Sequence, residues 1–340
     1  FHLPRREYDH YCRWVAERLP TCRFGARVEA LRWLAGPAVF EADVRAPGAT
    51  AVERLHARNV VLGVGTAPHV PEPLVAALGP DAVHAAGFLG HRERIHRAAS
   101  VAVVGSGQSG AEVFLDLLRD QPAHGYRLTW MTRSPAFLPM EYTRLALEHF
   151  SPEYIRYFHG LAEEVRDRLL PTQDLLYKGI DAQTVEEIYA LLYERSAGGA
   201  EPAVELRPHL SVDAVERTPA GLRLRCRQWE QGREITVETE CAVLATGFVA
   251  RRPACIEELA PLIRWDAAGR YRVDLDYRIE MDPSVSGSLF VQNAELHTHG
   301  VGAPDLGLGA HRGACIANAL TGREVYRLPR RTVVTEFGVA

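Results

Sequence analysis

The sequence lacks the cysteine patterns that carry redox or metal chemistry. Its six cysteines, Cys12, Cys22, Cys226, Cys241, Cys255 and Cys315, are scattered over 340 residues, with no CxxC pair and no histidine at zinc-like spacing. A disulfide framework, a metal site and a redox-active dithiol are therefore not expected. An excess of positive charge is missing too. Thirty-nine basic against 43 acidic side chains leave a net charge of −4, without the basic footprint that nucleic-acid binding requires. No apolar run approaches the roughly 18 to 20 residues of a membrane span. The opening Phe1-His2-Leu3-Pro4-Arg5-Arg6-Glu7 has neither the apolar core of a signal peptide nor an initiator Met. The expectation is a cytoplasmic chain, without nucleic-acid or membrane partners, whose true beginning is missing.

What is there is globular. Apolar residues make up 47% and charged residues 24%, close to folded averages, and the length suits about two domains. Helical spacing over 6–19 precedes a β-rich meander at 26–32, 39–45 and 56–62. Gly63-Val64-Gly65-Thr66-Ala67-Pro68 follows, then a Pro-rich and polar connection containing His84, His91 and His96, with a domain junction expected near 90–100. Residues 100–104 read as a buried strand and 126–132 as another. A mostly helical region covers about 143–197, polar β stretches lie at 221–227 and 233–238, and a buried strand at 241–247 ends in glycine. A strand at 288–292, a loop rich in His and Gly, and a helix near 310–320 complete an α/β pattern without internal repeats.

The strand at 100–104 runs into Gly105-Ser106-Gly107-Gln108-Ser109-Gly110-Ala111-Glu112 and then a helical pattern. A glycine fingerprint in that context has a mechanism. Gly105 makes the tight turn, Gly107 lets backbone approach a pyrophosphate, and Gly110 lets helix pack on strand, while the helix start offers free N–H groups. About 20 residues on, where an acidic residue would accept from a bare ribose diol, stand Thr132, Arg133 and Ser134. A guanidinium and hydroxyls suit the extra phosphate of NADPH. Two more strand-to-glycine junctions, at Gly63-Val64-Gly65 and Leu244-Ala245-Thr246-Gly247, look like the crossover strands of flavoproteins with two dinucleotide-binding domains. Pro68 occupies the third glycine's place in the first, which excludes it as a second fingerprint.

Together, the Arg5-Arg6-Glu7-Tyr8 to Tyr11-Cys12-Arg13-Trp14 opening, GSGQSGAE at 105–112, SPEY at 151–154, LATGF at 244–248 and QNAELHTHG at 292–300 resemble one family, the flavin-dependent N-hydroxylating monooxygenases of siderophore biosynthesis. The resemblance implies two Rossmann-like domains with a helical substrate region, and FAD, NADPH, O2 and a primary amine as reactants through a flavin hydroperoxide. Such a site must exclude water and favour the neutral amine by desolvation. Gln108 and Ser109 match positions implied for nicotinamide-side, catalytic contacts, with Glu112 completing the motif. Thr246, Gly247, His297, His299, Gly300 and Leu306 fall on the segments implied to face the flavin.

Family members begin with a strand and phosphate turn for FAD. That segment is not found here, so an amino-terminal FAD-binding segment is expected to be missing. The expected domains are 1–96 (partial FAD-binding), 97–240 (inserted NADPH-binding, with the helical substrate region at 135–200) and 241–340 (the rest of the FAD-binding domain). Where amino-acid hydroxylases tend to carry Asn or Asp, this chain has Leu147, and where they often have Ser it has Gly307. A diamine, putrescine or cadaverine, is the expected substrate, with Glu148, Asp181 and Asp305 as counter-charges for its second ammonium. Side-chain hydroxylation of lysine or ornithine, and an inactive NADPH-binding fragment, are the alternatives. A homo-oligomer is expected.

Overall fold

The computed structural model describes residues 3–339; Phe1 and His2 of the opening lie outside them. The chain forms two compact units. One comprises 1–62, 252–274 and 278–291, and the other 63–251, 275–277 and 292–340.

In the smaller unit a helix over Arg5–Arg18 precedes an antiparallel sheet of Arg27–Leu34, Val39–Arg45 and Glu53–Ala57. Trp33 meets Phe40 edge-on at 5.0 Å, and Leu31, Phe40 and Val44 are buried. The strand read from sequence over 56–62 is in fact two. Glu53–Ala57 closes the antiparallel sheet, and Asn59–Leu62 pairs parallel with Ser288–Val291 in a second sheet. Arg58 lies between them, where the chain changes sheets.

The larger unit is built on a five-stranded parallel sheet: β1 (Ala82–His84), β2 (Ser100–Val104), β3 (Arg127–Met131), β4 (Val204–Arg207) and β5 (Cys241–Leu244). The spatial order is β1-β5-β2-β3-β4. The central strands β2 and β5 are short and apolar because both faces are covered, whereas β4 at the edge is partly exposed. Alternate residues Val101, Val103, Leu128, Trp130 and Val243 pack on α1 (Gln108–His124) through Phe114, Leu117 and Leu118. The intervening Ala102, Val104, Met131, Ala242 and Leu244 pack on Leu210, Leu222, Leu224 and Cys226 of an antiparallel three-stranded sheet. The period of two thus divides each strand between two different covers.

This sheet moves the expected boundaries. Because β1 pairs with β5 in parallel register, residues 63–96 belong to the nucleotide-type unit rather than to a separate first domain. The chain passes between units near 62 and 251, and 292–340 join the larger unit. The junction expected at 90–100 is occupied by a helix, Phe88–His96. The region expected to be helical is so. It contains α2 (Pro152–His159), α3 (Ala182–Ser196) and shorter turns. The last helix, α4, spans Gly309–Thr321. Among the described residues no helix is long and apolar enough to cross a membrane.

Phe114 is fully buried and stacks on Trp130 at 4.5 Å. Phe114→Ala is expected to lower the unfolding free energy by about 3–5 kcal/mol, measured by urea denaturation; a loss below about 1 kcal/mol would contradict this packing.

Candidate functional site

The glycine turn between β2 and α1 is shaped by lack of room. A Cβ on Gly105, which has φ +114°, would lie 2.2 Å from the Ala245 carbonyl oxygen, and one on Gly110 would lie 2.3 Å from the Gly105 oxygen. Both would collide with backbone. Gly107 differs, since its nearest outside neighbour would be the Lys178 carbonyl at 3.4 Å, so the restriction there is on what approaches from outside. Neighbours lock the turn: Trp130 Nε1 donates to the Gly105 carbonyl (2.8 Å) and Gly105 N–H to the Met131 carbonyl (2.8 Å). The Ser106 and Thr132 hydroxyls are 2.8 Å apart and tie the turn to the end of β3. A bare backbone cradle at the start of a long helix fits a dinucleotide pyrophosphate.

At that strand end, Ser134 N–H donates to Thr132 Oγ1 (3.1 Å) and the Ser134 carbonyl accepts from His209 N–H (2.9 Å). The Arg133 carbonyl accepts from the Trp229 indole (3.3 Å). The Arg133 side chain is exposed and has no acidic partner among the described residues. Its backbone is held and its guanidinium is available.

Of the two residues expected to act at the nicotinamide end, Gln108 is committed to protein. Its Nε2 donates to Glu112 (3.0 Å) and its Oε1 accepts from Asp181 N–H (2.7 Å), so it fastens the start of α3 to the glycine turn. Ser109 is half-buried and its hydroxyl remains available. Asp181 caps α3 by accepting from Thr184 N–H (3.0 Å). Asp305 accepts from Leu308 N–H (3.2 Å). Sequence reading missed the residue that relates these two carboxylates. Partial burial, then the charges of Asp181 and Asp305, push the Tyr142 phenol up. Gly307 lies beside Asp305, where an added Cβ would come within 2.8 Å of its carboxylate oxygen. Leu306 is 70% exposed and Leu147 39%.

Glu148 is corrected as a counter-charge. Its carboxylate accepts from Val334 N–H (3.1 Å), Thr335 N–H (2.8 Å) and the Thr335 hydroxyl. Glu153 holds Thr332 in the same way through N–H and hydroxyl, both at 2.7 Å. Phe337 sits 4.9 Å from the Tyr154 ring and 5.4 Å from that of His149. The two glutamates clamp an extended segment onto α2 and the turn before it.

The histidines expected on the segment facing the flavin are both enclosed. His299 is fully buried, stacks on Tyr277 at 4.3 Å and lies 2.9 Å from Thr298 Oγ1 through Nδ1. Burial pushes it down to about 3, with His159 adding to the effect, so it stays neutral, and its Nε2 is buried without a hydrogen-bond partner among the described residues. His297 is buried as well. In the same loop Gly300 has φ +71° and lies against Phe158. At the glycine junctions, Gly65 (φ +65°) and Gly247 (φ +89°) would bring an added Cβ within 4 Å of nothing, so the backbone there is bare, as a bound flavin nucleotide requires. The Gly247 carbonyl accepts from His69 N–H (2.9 Å), and Thr246 Oγ1 donates to the His69 carbonyl (2.5 Å). Away from this region, His96, Asp116 and Asp120 come together, but Arg92 already bridges both carboxylates at 2.7 and 2.5 Å.

Residues 1–250 match the model of the L-lysine 6-monooxygenase/L-ornithine 5-monooxygenase family. The chain belongs to that family. It is 37% identical to a putrescine N-hydroxylase of Shewanella oneidensis over 99% of this chain and 66% of that protein. It is 39% identical to an alcaligin biosynthesis enzyme of Bordetella pertussis, over 99% of this chain and 72% of the relative. The FAD-bound crystal structure of DfoA, a cadaverine monooxygenase of the desferrioxamine pathway from Erwinia amylovora, superposes with a TM-score of 0.94 at 37% identity, covering 99% of this chain and 78% of that one. The chain thus spans about two thirds to three quarters of the length of these relatives. The fold is the mixed α/β arrangement of the family's FAD-dependent monooxygenases.

The clamp on α2 yields a test. The carboxyl of Glu148 is held down first by the Thr335 hydroxyl; that of Glu153 is raised by burial but lowered overall by Thr332. Both contacts are complete above the ordinary carboxylate range of about 4 and are lost as pH falls through the lowered values. Hydrogen exchange corrected for intrinsic rates is expected to show Val334 and Thr335 amides protected at neutral pH and released on acidification. Glu148→Gln is expected to raise their exchange at neutral pH about tenfold; unchanged protection would contradict the clamp.

Proposed function

We propose that this protein N-hydroxylates one amine of a short diamine, putrescine or cadaverine, with FAD, NADPH and O2, in hydroxamate siderophore biosynthesis. The balance is R–NH2 + O2 + NADPH + H+ giving R–NHOH + NADP+ + H2O. The observation behind the diamine is the pair of carboxylates Asp181, at the start of α3 beside the residue that fastens the glycine turn, and Asp305, in the turn before α4; both push the Tyr142 phenol up. A diamine brings a second ammonium that needs such charge, and carries no α-carboxylate that would be repelled by it. Leu147 and Gly307, in place of polar groups, fit the same reading. The putrescine and cadaverine enzymes named above support it from outside.

FAD, when bound, takes the electrons of NADPH and delivers one oxygen atom of O2 to the amine. The residues of this chain hold and orient. Gly105, Ser106, Gly107, Ser109 and Gly110 would carry the NADPH pyrophosphate and nicotinamide side, Glu112 and Gln108 would brace the turn, and Arg133 with Ser134 would take the 2′-phosphate. Thr246, Gly247, Gly300 and Leu306 would offer backbone and apolar contact to the flavin. Asp305 and Asp181 would keep the distal nitrogen charged. The reacting nitrogen must be neutral to attack, although a free alkylamine has a pKa of about 10.4. The aromatic and aliphatic cluster of Tyr154, Phe158, Val301, Leu176 and Tyr177 supplies the low-polarity surroundings that favour the neutral form and keep water out. Its Leu176 and Tyr177 edge adjoins the Tyr142 loop, where Glu141 N–H donates to the Leu175 carbonyl (2.9 Å).

Incubation of the protein with FAD, NADPH and each amine, measuring hydroxylated product against hydrogen peroxide, is expected to favour a diamine over lysine and ornithine. A preference for lysine or ornithine overturns the diamine, and failure to take up FAD, read from the 450 nm absorbance, overturns the enzyme. Asp305→Asn is expected to raise the KM for the diamine about tenfold while moving that for a monoamine of the same length far less. Arg133→Ala is expected to raise the KM for NADPH about 10- to 100-fold, the value of a charge-assisted phosphate contact. NADH should be little affected, and equal effects on the two nucleotides would exclude the phosphate role.

A further inference from the structure

Arg312, on the first turns of α4, is buried with 6% exposure, and its guanidinium reaches three parts of one loop. Nη1 donates to Asn293 Oδ1 (3.2 Å), and Nη2 donates to the Ala303 carbonyl and lies 3.5 Å from that of Gly302. Nε is 3.4 Å from Oε1 of Glu295, which is fully buried. The guanidinium carbon lies 5.8 Å from the Tyr277 ring centroid. Two residues around it, Tyr277 (φ +68°) and Asn293 (φ +65°), are in the left-handed region. For a bulky tyrosine that conformation persists only when the surroundings enforce it.

A buried ion pair is a poor source of stability, because desolvation offsets most of its attraction, but it can specify one conformation. Here the specified element is close to the proposed chemistry. The Gly302 carbonyl that faces Arg312 also accepts from Asp305 N–H (3.2 Å), and Ala303 N–H donates to the Gly300 carbonyl (3.0 Å). From the other side the same backbone is pressed by α2 and Leu308, since a Cβ on Gly300 would lie 3.1 Å from Phe158 and one on Gly302 2.7 Å from Leu308. One guanidinium therefore fixes where the chain enters the turn that carries Asp305.

We infer that Arg312 is a positioning residue for amine recognition, setting the Gly300–Ala303 backbone and through it the place of the Asp305 carboxylate. The inference rests on the diamine reading above. A lysine at this position keeps a charge for Glu295 but lacks the planar fork that reaches Asn293 and two carbonyls together.

The test compares FAD-loaded wild type, Arg312→Lys and Asp305→Asn with a diamine and a monoamine of equal length. Arg312→Lys is expected to raise the diamine KM about tenfold with a much smaller change for the monoamine, and to speed amide exchange at Ala303 and Asp305. A purely structural role would instead lower Tm and move both KM values together. Equal effects on the two amines, or unchanged exchange at Ala303 and Asp305, overturn the inference. If Arg312→Lys does not fold, Asn293→Gly serves. It keeps the left-handed backbone, removes one partner of Arg312, and is expected to change the same KM ratio by about threefold; no change overturns the inference. Wild type that hydroxylates no amine, or Asp305→Asn without selectivity between amines, defeats the diamine reading. The exchange measurement still decides whether Arg312 holds the loop.

Discussion

The contact among Gly105, Gly110 and Ala245 is the constraint on which the larger unit depends. Three backbone segments, the end of β2, the first turn of α1 and the exit of β5, approach until a methyl group would overlap a carbonyl oxygen. Close approach there lets β5 lie between β1 and β2 and directs the free N–H groups of α1 toward the same end of the sheet as the Thr246-Gly247 junction. Trp130, inserted beneath the turn, couples it to the core through its indole bond to Gly105 and its stack on Phe114. Phosphate-type geometry and core packing are thus one structure.

Around that centre the polar side chains divide into those spent on architecture and those left to solvent or ligand. Gln108, Glu148 and Glu153 are accounted for by protein partners. Their chemistry is spent in holding α3 and the 332–337 segment. Ser109 and Arg133 are not so occupied, and Asp305 uses one carboxylate oxygen on Leu308 N–H. A motif match treats the two groups alike, because it registers residue type at a position and not whether its hydrogen-bonding capacity is already consumed.

That distinction explains what could be read from sequence. The glycine turn, both buried strands beside it, the helical region and the last helix were legible because periodicity and glycine spacing are local. So was the family, through motifs spread over the chain. The first domain boundary was not. Its evidence is a three-residue strand, Ala82–His84, whose strand character comes entirely from its neighbour β5, 160 residues away in sequence. The change of sheet at Arg58 was hidden within one continuous β-like run. The partnerships of Tyr142 and Arg312 were invisible for a different reason. Each becomes meaningful only when distant segments meet. Arg312 in particular reads as an ordinary helix residue until Glu295 and Asn293 fold against it.

The indole of Trp229, reaching from the antiparallel sheet to the Arg133 carbonyl, separates two things that proteins often have to trade. With the main chain at the end of β3 anchored by Trp229 and by the Ser134 contacts, the side chain at 133 contributes almost nothing to folding. With the phosphate role proposed for Arg133, coenzyme preference would change by exchange of one exposed residue without disturbing the scaffold.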